Sequence, residues 1–469
     1  MSELSPSTID RRPTTTPLSA EERKQRMDNP GFGRVFTENM VSIRYADGAW
    51  QRGLLEPYAP ITLDPAASVL HYGQAIFEGF KAYRLADGGI DTFRPDANAR
   101  RFASSARRLA MPELPVERFL EAADVLIAQE RDWVPSKPGE SLYMRPLMIA
   151  TEGALGVRPA KDYLFLLFAS PAGAYFSGGV KPVTVWISED YVRAAPGGTG
   201  MAKFAGNYGA SLVAQRQAQG EGCDQVVWID ACERKYVEEM GGMNIFFVFE
   251  ENGKPVLVTP ELSSGTLLPG ITRDSLLTLA RDLGWGAVER KVTVDEWGEA
   301  LASGKMKEAF ACGTAAVITP IGTVKSKRGT WSVHGGETGP VASKLRELLL
   351  DIQHGRVADP HGWVHRVVLG KSETHEGADE QHRAQQDEHA ADHARQPRHR
   401  ASREPRAERP REREQRREPQ HDPREGARGE ERRLRVERRH ETAQARRRAE
   451  PEREEARVER DEREARGEE

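Results

Sequence analysis

One lysine stands in a setting that favours covalent chemistry. Residues 197–208 read GGTGMAKFAGNY, so Lys203 is flanked by small and apolar residues in a loop that leads into a predicted helix at 210–217. A lone lysine is usually a solvated surface group. Among these neighbours the amine would instead be partly desolvated, and a desolvated amine is a nucleophile that can form a Schiff base. The spacing alone leaves both interpretations open.

A second segment, LLPGITRDS at residues 267–275, combines a tight turn with a helix start. Pro269 and Gly270 precede the helix, so the amides of Ile271 and Thr272 lie at its N-terminus. Unpaired N–H groups and the helix dipole favour an anion at such a position. Because many helices start after Pro-Gly, the segment by itself is only a weak indication of a phosphate site.

The elements that would position these residues fall into two regions of mixed helix and strand. Residues 31–170 form the smaller predicted domain, residues 171–180 (rich in glycine and small residues) a linker, and residues 181–368 the larger domain. Period-two and apolar runs predict strands at 40–45, 79–83, 141–150, 163–169, 183–188, 225–229, 243–250 and 315–324. Helical spacing of apolar residues predicts helices at 98–109, 116–130, 273–283 and 341–352.

Both ends of the chain differ from this body. Residues 1–30 are rich in Ser, Thr, Pro and charge, which predicts a mobile arm. Residues 369–469 contain few apolar residues and many Arg and Glu. The apolar surface that they could bury is too small to offset the entropy of ordering, so we expect a disordered charged tail with transient helix. A basic nucleic-acid-binding tail is the alternative, but acidic residues interleave with the basic ones and largely cancel the field.

The composition limits the possible partners and compartments. The net charge of −4 argues against general attraction to nucleic acid or membrane. Cys223, Cys232 and Cys312 are odd in number and lack zinc-site spacing, so we expect buried, reduced thiols and no metal. No apolar run reaches the ~20 residues of a membrane helix, and the N-terminus lacks the apolar core of a signal peptide. A cytoplasmic location is therefore expected.

Several motifs occur together in one order along residues 30–368. Beside the lysine segment and LLPGITRDS, they are FGRVFTENM at 32–40, HYGQAIFEGFKAYR at 71–84, FRPDANARRFASSARRLAMP at 93–112, LYMRP at 142–146, EEMGGMNIFFV at 238–248, GTAAVITPI at 313–321 and DPHGWVHRV at 359–367. This set resembles the branched-chain-amino-acid aminotransferases of the class-IV family, which are fold-type IV pyridoxal-phosphate enzymes. The resemblance implies a two-lobed α+β or α/β fold of the D-amino-acid-aminotransferase-like type. Pyridoxal 5'-phosphate would bind in the cleft between the lobes.

The resemblance also implies roles for three residues around the reactive part of the cofactor. Lys203 would hold pyridoxal phosphate as a Schiff base and, once displaced, move a proton at the substrate's alpha carbon. Glu239 would keep the pyridine nitrogen protonated, which strengthens the electron sink. Tyr208 would donate to the phenolic oxygen. Without the resemblance, Glu239 would be read as a surface carboxylate, as Glu238 beside it is, and Tyr208 as a core residue.

For the cofactor phosphate, the resemblance implies a charge and several donors. Arg101 would supply the charge, the amides of Ile271 and Thr272 would supply the helix N-terminus, and Thr314 would add a further contact. On its own, Arg101 would be one exposed arginine among several in its helix.

The substrate site implied by the resemblance has an apolar wall and one arginine. Its residues are Phe32, Tyr72, Phe77, Tyr143, Met243 and Ala315, completed by Leu155 and Val157 from the neighbouring subunit of a homodimer. Such residues are otherwise read as core. Arg145 would bind the distal carboxylate of glutamate. Backbone donors at Thr314 and Ala315 would bind the alpha carboxylate that every substrate carries. The implied reaction transfers the amino group of L-leucine, L-isoleucine or L-valine to 2-oxoglutarate, giving branched 2-oxo acids and L-glutamate.

The sequence departs from the family pattern in two places. Some members carry a redox-active CxxC after the GTA turn, whereas Ala316 and Thr319 stand there, so thiol regulation is not expected. The tail after about residue 368 has no counterpart in the family, and either a reading-frame error or an appended region accounts for it.

Other functions stay open at this stage. The nearest alternative is another fold-type IV enzyme, a D-amino-acid aminotransferase or an aminodeoxychorismate lyase. From a different class, the chain could be a scaffold whose inactive enzyme body presents the charged tail, or the tail could bind RNA. The GGTG and FEG segments favour the branched-chain aminotransferase.

Overall fold

The computed structural model describes residues 7–173 and 181–369, and within them the chain forms two nine-stranded sheets. Most of the predicted linker at 171–180 and nearly all of the predicted tail at 369–469 lie outside the described residues. In the part of the chain that is described, no helix combines the length and apolar character needed to cross a membrane.

The first sheet is built mainly from the N-terminal half of the chain. Its strands from that half are β1 (Ile9–Arg11), β2 (Asn39–Ala46), β3 (Ala49–Pro57), β4 (Ala75–Phe77), β5 (Phe80–Arg84), β6 (Ile90–Phe93), β7 (Ser141–Ala150) and β8 (Tyr163–Ala172), and a ninth strand comes from the end of the described region. The helices of this half are α1 (Ala20–Met27), α2 (Ser68–Tyr72), α3 (Pro95–Arg108) and α4 (Val116–Gln129), with a 3-10 turn at Arg131–Trp133.

The second sheet contains the strands of the C-terminal half except the last. These strands are β9 (Val183–Ser188), β10 (Gln225–Ile229), β11 (Val237–Met240), β12 (Met243–Glu251), β13 (Lys254–Thr259), β14 (Gly286–Glu289), β15 (Met306–Gly313), β16 (Val317–Ser326) and β17 (Gly329–Ser332). The helices are α5 (Ala205–Gly220), α6 (Ile271–Asp282), α7 (Val294–Ala302) and α8 (Pro340–Gln353), with a 3-10 turn at His334–Gly336, and β18 (Val364–Arg366) follows.

Strand pairing fixes which residues face each other. The first sheet has the order β1-β3-β2-β8-β7-β5-β6-β18, with β4 on β7, and the second has the order β11-β10-β9-β16-β15-β12-β13-β14, with β17 on β16. β7 and β8 pair antiparallel from Ser141↔Ala172 to Ala150↔Tyr163. In the second sheet β9 is parallel to both of its neighbours.

Each sheet covers its own apolar cluster, and a third cluster joins the two halves. In the first, α3 and α4 pack Phe102 and Phe119 against Phe165 of β8. In the second, Phe247 packs edge-on against Trp297 of α7. The third contains residues of β5 and β6 together with residues of β12, β15, α6 and α8. Burial of these apolar faces holds the two sheets close enough to enclose a cavity.

The two-lobed fold is confirmed, and most predicted elements occur within one to three residues of their expected bounds. β18 is an exception, because it pairs with β6 of the first sheet although it lies in the stretch predicted as the larger domain. The domain boundaries themselves remain predictions. Short strands with weak local patterns, such as β4 and β14, were missing from the sequence prediction.

The N-terminal region differs from the predicted mobile arm. β1 pairs in parallel with β3, and Ile9 is buried in the first core. α1 follows with a capping box, in which Ser19 and Glu22 bond each other's backbone amides. The prediction rested on composition and is wrong for residues 9–27, because a single buried isoleucine and backbone pairing are enough to fix this segment on an existing sheet edge.

Candidate active site

A cavity between the two sheets collects most of the residues singled out in the sequence. It encloses about 1000 Å³ including its open mouth. The predicted site residues in its lining are Phe32, Phe77, Arg101, Tyr143, Arg145, Lys203, Tyr208, Met243, Ile271, Thr272, Thr314 and Ala315. They come from β4, β7, α3, α5, β12, α6, the turn between β15 and β16, and the segments before β2 and α5, so only the packed fold brings them together.

Lys203 lies half-buried just before α5, and its backbone bonds two residues of the N-terminal half. Its backbone N–H donates to Ser105 Oγ of α3 at 3.0 Å, and its carbonyl accepts from the amide of Phe77 at 3.1 Å. Its Nζ donates to the Tyr208 hydroxyl at 3.2 Å and lies 5.1 Å from the centre of the Phe77 ring. The amine therefore projects into the cavity on a fixed backbone, beside a phenol and an aromatic face.

Arg101 reaches the cavity from α3 as half of a buried ion pair. Its Nε and Nη2 donate to the two carboxylate oxygens of Glu78 at 2.7 and 2.8 Å, and its Nη1 donates to Pro269 O at 3.1 Å. Burial acts to lower the pKa of Arg101, but Glu78 outweighs it and raises that pKa, so the guanidinium stays charged. Three of its five N–H donors are used, which leaves two for an anion.

The start of α6 is the second anion-attracting feature. Its N-cap is Gly270, which has no side chain to satisfy the first amides of the helix, and Ile271 and Thr272 line the cavity. A Cβ at Gly270 would collide with Asn244 Oδ1, so only glycine allows the chain to approach this closely. The free amides, the helix dipole and Arg101 nearby form a site suited to a phosphate.

Glu239 lies on β11 behind the first cavity, in an adjoining one that shares Tyr208, Gly242 and Leu268 with it. It is 2% exposed, and its Oε1 accepts from the Leu268 amide at 2.8 Å and from Asn244 Nδ2 at 3.3 Å. Arg193 Nε lies 2.9 Å from its Oε2. Burial raises the pKa of Glu239, and Arg193 opposes that rise.

An apolar wall with one free arginine forms the outer part of the cavity. Phe32 packs edge-on against Tyr143, with ring centres 4.9 Å apart. The Arg145 guanidinium lies 4.9 Å from the centre of the Phe77 ring, and its Nη2 donates to the Tyr143 hydroxyl at 3.4 Å. Within the described part of the chain, Arg145 Nε is buried without an acceptor. The wall thus offers apolar contact and a cation with unused donors.

Three predicted substrate residues are not in the lining of this chain's cavity. Tyr72 donates its hydroxyl hydrogen to Leu155 O, so it belongs with the loop that carries Leu155 and Val157. These side chains are exposed, Val157 to 85%. Leu155 and Val157 are expected to act from a neighbouring subunit, and that role remains a prediction. The expectation that Tyr72 belongs to this chain's own apolar wall is corrected, because its hydroxyl bonds that loop instead.

Two expectations about single residues are corrected. Glu238 is not a surface carboxylate but is 4% exposed, because β11 pairs with β12 as well as with β10, and Glu238 accepts from the Thr266 hydroxyl. Cys232 is exposed, unlike Cys223 and Cys312, because it lies in the turn after β10.

Sequence reasoning missed the partners of the predicted residues. Glu78 carries a signal, because a glutamate inside the apolar run AIFEGF must find a buried partner. Arg193 and Asn244, which hold Glu239, carry none, because their neighbours in sequence are ordinary and their contacts form only in the packed fold.

The donor set fits pyridoxal phosphate. The amine of Lys203 suits an aldehyde, and the carboxylate of Glu239 suits a pyridine nitrogen. The phenol of Tyr208 suits a phenolic oxygen, and the glycine-capped helix start beside Arg101 suits a phosphate. The close approach of the chain at Gly270, which a larger residue would prevent, supports the fit independently of any motif.

Comparison with known proteins gives concordant results. The sequence model of the family described as amino-transferase class IV matches residues 75–324. The chain is 59% identical over 363 residues to a probable branched-chain-amino-acid aminotransferase of Streptomyces coelicolor, covering 77% of this chain and 99% of the relative. It is 57% identical over 353 residues to the branched-chain-amino-acid aminotransferase of Mycobacterium tuberculosis, covering 75% of this chain and 96% of the relative.

A solved structure agrees with these sequence relatives. The T.th. branched-chain amino acid aminotransferase, complexed with N-(5'-phosphopyridoxyl)-L-glutamate, superposes with a TM-score of 0.56 at 30% identity. The match covers 70% of this chain and 98% of that one.

Proposed function

The chain belongs to the class IV aminotransferases, a pyridoxal-phosphate-dependent family, and its relatives there are branched-chain-amino-acid aminotransferases; from that premise we propose its substrates and the roles of its residues. It transfers the amino group of L-leucine, L-isoleucine or L-valine to 2-oxoglutarate, with Lys203 as the residue that binds the cofactor covalently. The observation that carries the proposal is the Lys203 amine, fixed at both sides of its backbone and bonded to Tyr208 inside the cavity.

When bound, pyridoxal phosphate withdraws electrons from the substrate's alpha carbon, and the chain's residues do the rest. Lys203 would hold the cofactor, and its Nζ would take and return a proton at the substrate's alpha carbon. Tyr208, 3.2 Å away, orients this amine and offers a hydroxyl donor to an oxygen anion. Glu239, held by Arg193, Asn244 and the Leu268 amide, is the carboxylate that would be placed against the pyridine nitrogen.

The outer cavity accounts for the two kinds of side chain that the reaction requires. Phe32, Phe77, Tyr143 and Met243 offer apolar contact to a branched side chain, and Arg145 offers unused N–H donors to the distal carboxylate of glutamate. Backbone donors of the Thr314–Ala316 turn hold the carboxylate that all substrates share. Discrimination among leucine, isoleucine and valine should be shallow, since a methylene changes binding by only about 1–3 kcal/mol.

We also propose that the enzyme works as a homodimer. The exposed Leu155 and Val157, on a loop tied to Tyr72, would cover a partner's cavity, and burial of these apolar side chains favours that contact. The cytoplasmic location and the lack of nucleic-acid binding remain predictions of the sequence.

Steady-state transamination of L-leucine with 2-oxoglutarate tests the proposed function. We expect activity in the purified chain and its complete loss in Lys203→Ala, together with loss of the visible absorbance of covalently bound cofactor. Lys161→Ala, which changes an exposed lysine outside the cavity, is the matched control and should keep full activity. Inactivity of the intact chain despite bound cofactor would contradict the proposal. Activity on D-alanine instead would favour the D-amino-acid aminotransferase.

A further inference from the structure

A buried lysine lies directly behind the turn that joins β15 and β16. Lys81 of β5 is 7% exposed, and its Nζ donates to Ala315 O at 2.9 Å. Lys81 is opposite Tyr143 in the pairing of β5 with β7, so both side chains project from the same face of the sheet. Tyr143 and Ala315 line the cavity, and Lys81 forms the layer behind them.

The charge of Lys81 has no counter-ion within the described residues. None of the ion pairs among the described residues includes it. The titratable residues facing it are Tyr143 of β7 together with Arg346 and His354 at α8. Burial, and then Arg346, lower the pKa of Lys81 to about 8. A buried charge is normally paired, so this ammonium lacks an anion that a ligand in the neighbouring cavity can supply.

The turn that Lys81 contacts is strained. Val317, directly after it, has a φ of 64°, in the left-handed region that a β-branched residue rarely adopts. Such a conformation persists only where the surroundings fix it, and it is typical of ligand-binding sites. The Lys81 bond to Ala315 O anchors the chain two residues before Val317.

The direction of that bond determines what the turn offers to the cavity. In a trans peptide the C=O and the N–H point to opposite sides. Because Ala315 O points to Lys81, the N–H of Ala316 points away from Lys81, and Ala316 lines the cavity. Lys81 therefore turns a backbone donor toward a ligand without touching that ligand.

We propose that Lys81 is a positioning residue for the substrate carboxylate: its amine orients the Ala315–Ala316 peptide, and its unpaired charge attracts the anion that this turn binds. The proposal rests on the proposed function, in which the same turn holds the carboxylate common to amino acids and 2-oxo acids. A residue with this role serves both half-reactions equally.

Equilibrium binding to the holoenzyme separates charge recognition from general packing. The probes are 4-methylvalerate, a branched carboxylate without an amine, and its neutral amide. We expect Lys81→Met to weaken binding of the acid about tenfold or more, because the Ala316 N–H would lose its aim at the carboxylate and a hydrogen bond to a charged group is usually worth that much. Amide binding should change by less than about twofold. Lys81→Gln keeps a donor but has no charge, so its affinity for the acid should lie between those of the wild type and Lys81→Met.

The pH profile gives a second readout. Lys81 is charged below and neutral above its pKa of about 8, so the wild-type preference for acid over amide should fall as pH rises through that value. The probe stays ionised throughout, since carboxyl groups titrate near pH 4. In Lys81→Met this pH-dependent step should be missing, while titration of the cofactor affects both proteins alike and cancels in the comparison.

Stability and kinetics distinguish positioning from a structural role. Because Lys81 is a buried, unpaired charge, Lys81→Met should melt at the same or a higher temperature than the wild type. In transamination its KM should rise for both L-leucine and 2-oxoglutarate, with kcat changed less than about threefold. An unchanged acid-to-amide ratio, or equal loss of both probes with a lower melting temperature, would overturn the inference. A wild type that prefers the acid but does not transaminate leucine would overturn only the proposed function.

Discussion

At the scale of single residues, the cavity separates charges that are already paired from charges that are free. Arg101 is bonded to Glu78, and Arg193 faces Glu239, so these groups are held in place before any ligand binds. Arg145 has no ion-pair partner within the described residues, and its Nε lacks an acceptor. Paired groups are suited to hold a permanent cofactor, and the free arginine is suited to an anion that comes and goes with each turnover.

Arg145→Met tests this division. It keeps an apolar chain against Phe77 but removes the cation, so KM for 2-oxoglutarate should rise about 10- to 100-fold, as expected for a lost charge-assisted bond. The half-reaction with L-leucine, measured in single turnover, should change little because leucine has no distal carboxylate. A matching loss in the leucine half-reaction would show that Arg145 shapes the wall rather than recognising the carboxylate.

At the scale of elements, the start of α6 depends on a close approach between two backbone segments. Gly270 faces Asn244, which in turn bonds Glu239 and the Leu268 carbonyl. One side chain, Asn244, therefore lies against both the start of α6 and the carboxylate behind the cavity. A displacement at Gly270 should affect both ends of the cofactor site together.

Gly270→Ala should weaken pyridoxal-phosphate binding at least about tenfold and destabilise the chain by about 1–3 kcal/mol, since the new methyl collides with Asn244. Cofactor titration of the apoprotein and thermal melting measure the two effects. Gly298→Ala in α7 is the matched control, because open space surrounds that position. Gly298→Ala should raise the free energy of unfolding by about 0.5–1 kcal/mol and leave cofactor binding unchanged. Equal cofactor affinity in both variants would contradict the proposed role of Gly270.

The end of α4 provides a pH-dependent contact between a helix and a strand. Glu130 accepts a bond from Asn39 of β2, and burial raises the pKa of Glu130 to about 7. The folded state therefore binds a proton more tightly than the unfolded state, whose value is near 4.5. The contribution of Glu130 to the free energy of unfolding is therefore largest below about pH 4.5, and it is lost as the pH rises to about 7.

Glu130→Gln keeps the acceptor for Asn39 and removes the titration. Thermal melting should show little difference between the variant and the wild type near pH 5, and a more stable variant at pH 8. The shift of the pKa from 4.5 to about 7 limits the difference in the free energy of unfolding between the variant and the wild type to about 3 kcal/mol. A constant difference at all pH values would show that packing, and not ionisation, controls this contact.

At the scale of the whole molecule, the chain returns to its first sheet at the end of the described region. β18 adds to β6, and Trp363 before it packs edge-on against Phe93 at 5.6 Å, while Val367 after it is buried. All residues assigned to the cavity lie in the first compact unit, Met1–Thr374.

Two truncations separate these parts. A chain that ends at Thr374 should keep its melting temperature and its kcat/KM for leucine, because it keeps β18 and every cavity residue. A chain that ends at Gly362 loses Trp363, β18 and Val367, and should lose about 3 kcal/mol or more of stability. Loss of activity in the longer truncated chain would assign a role in the reaction to the segment beyond residue 374.

The sequence by itself determined the local features of this protein. Period-two and helical patterns gave the bounds of β7, β9 and β10 to the residue, and the flanks of Lys203 singled it out, because both signals lie within a few neighbouring residues. The ordered motifs identified the family, which its relatives confirm.

Only the tertiary structure decided which partners those residues have. The contacts of Arg101 with Glu78, of Glu239 with Arg193 and of Lys81 with Ala315 join positions on different elements, the last pair 234 residues apart. No local pattern encodes such pairs, because they follow from strand order and from the packing of one sheet against the other. The burial of Glu238 and the pairing of β1 were missed for the same reason: composition describes a segment, whereas burial depends on what packs against it.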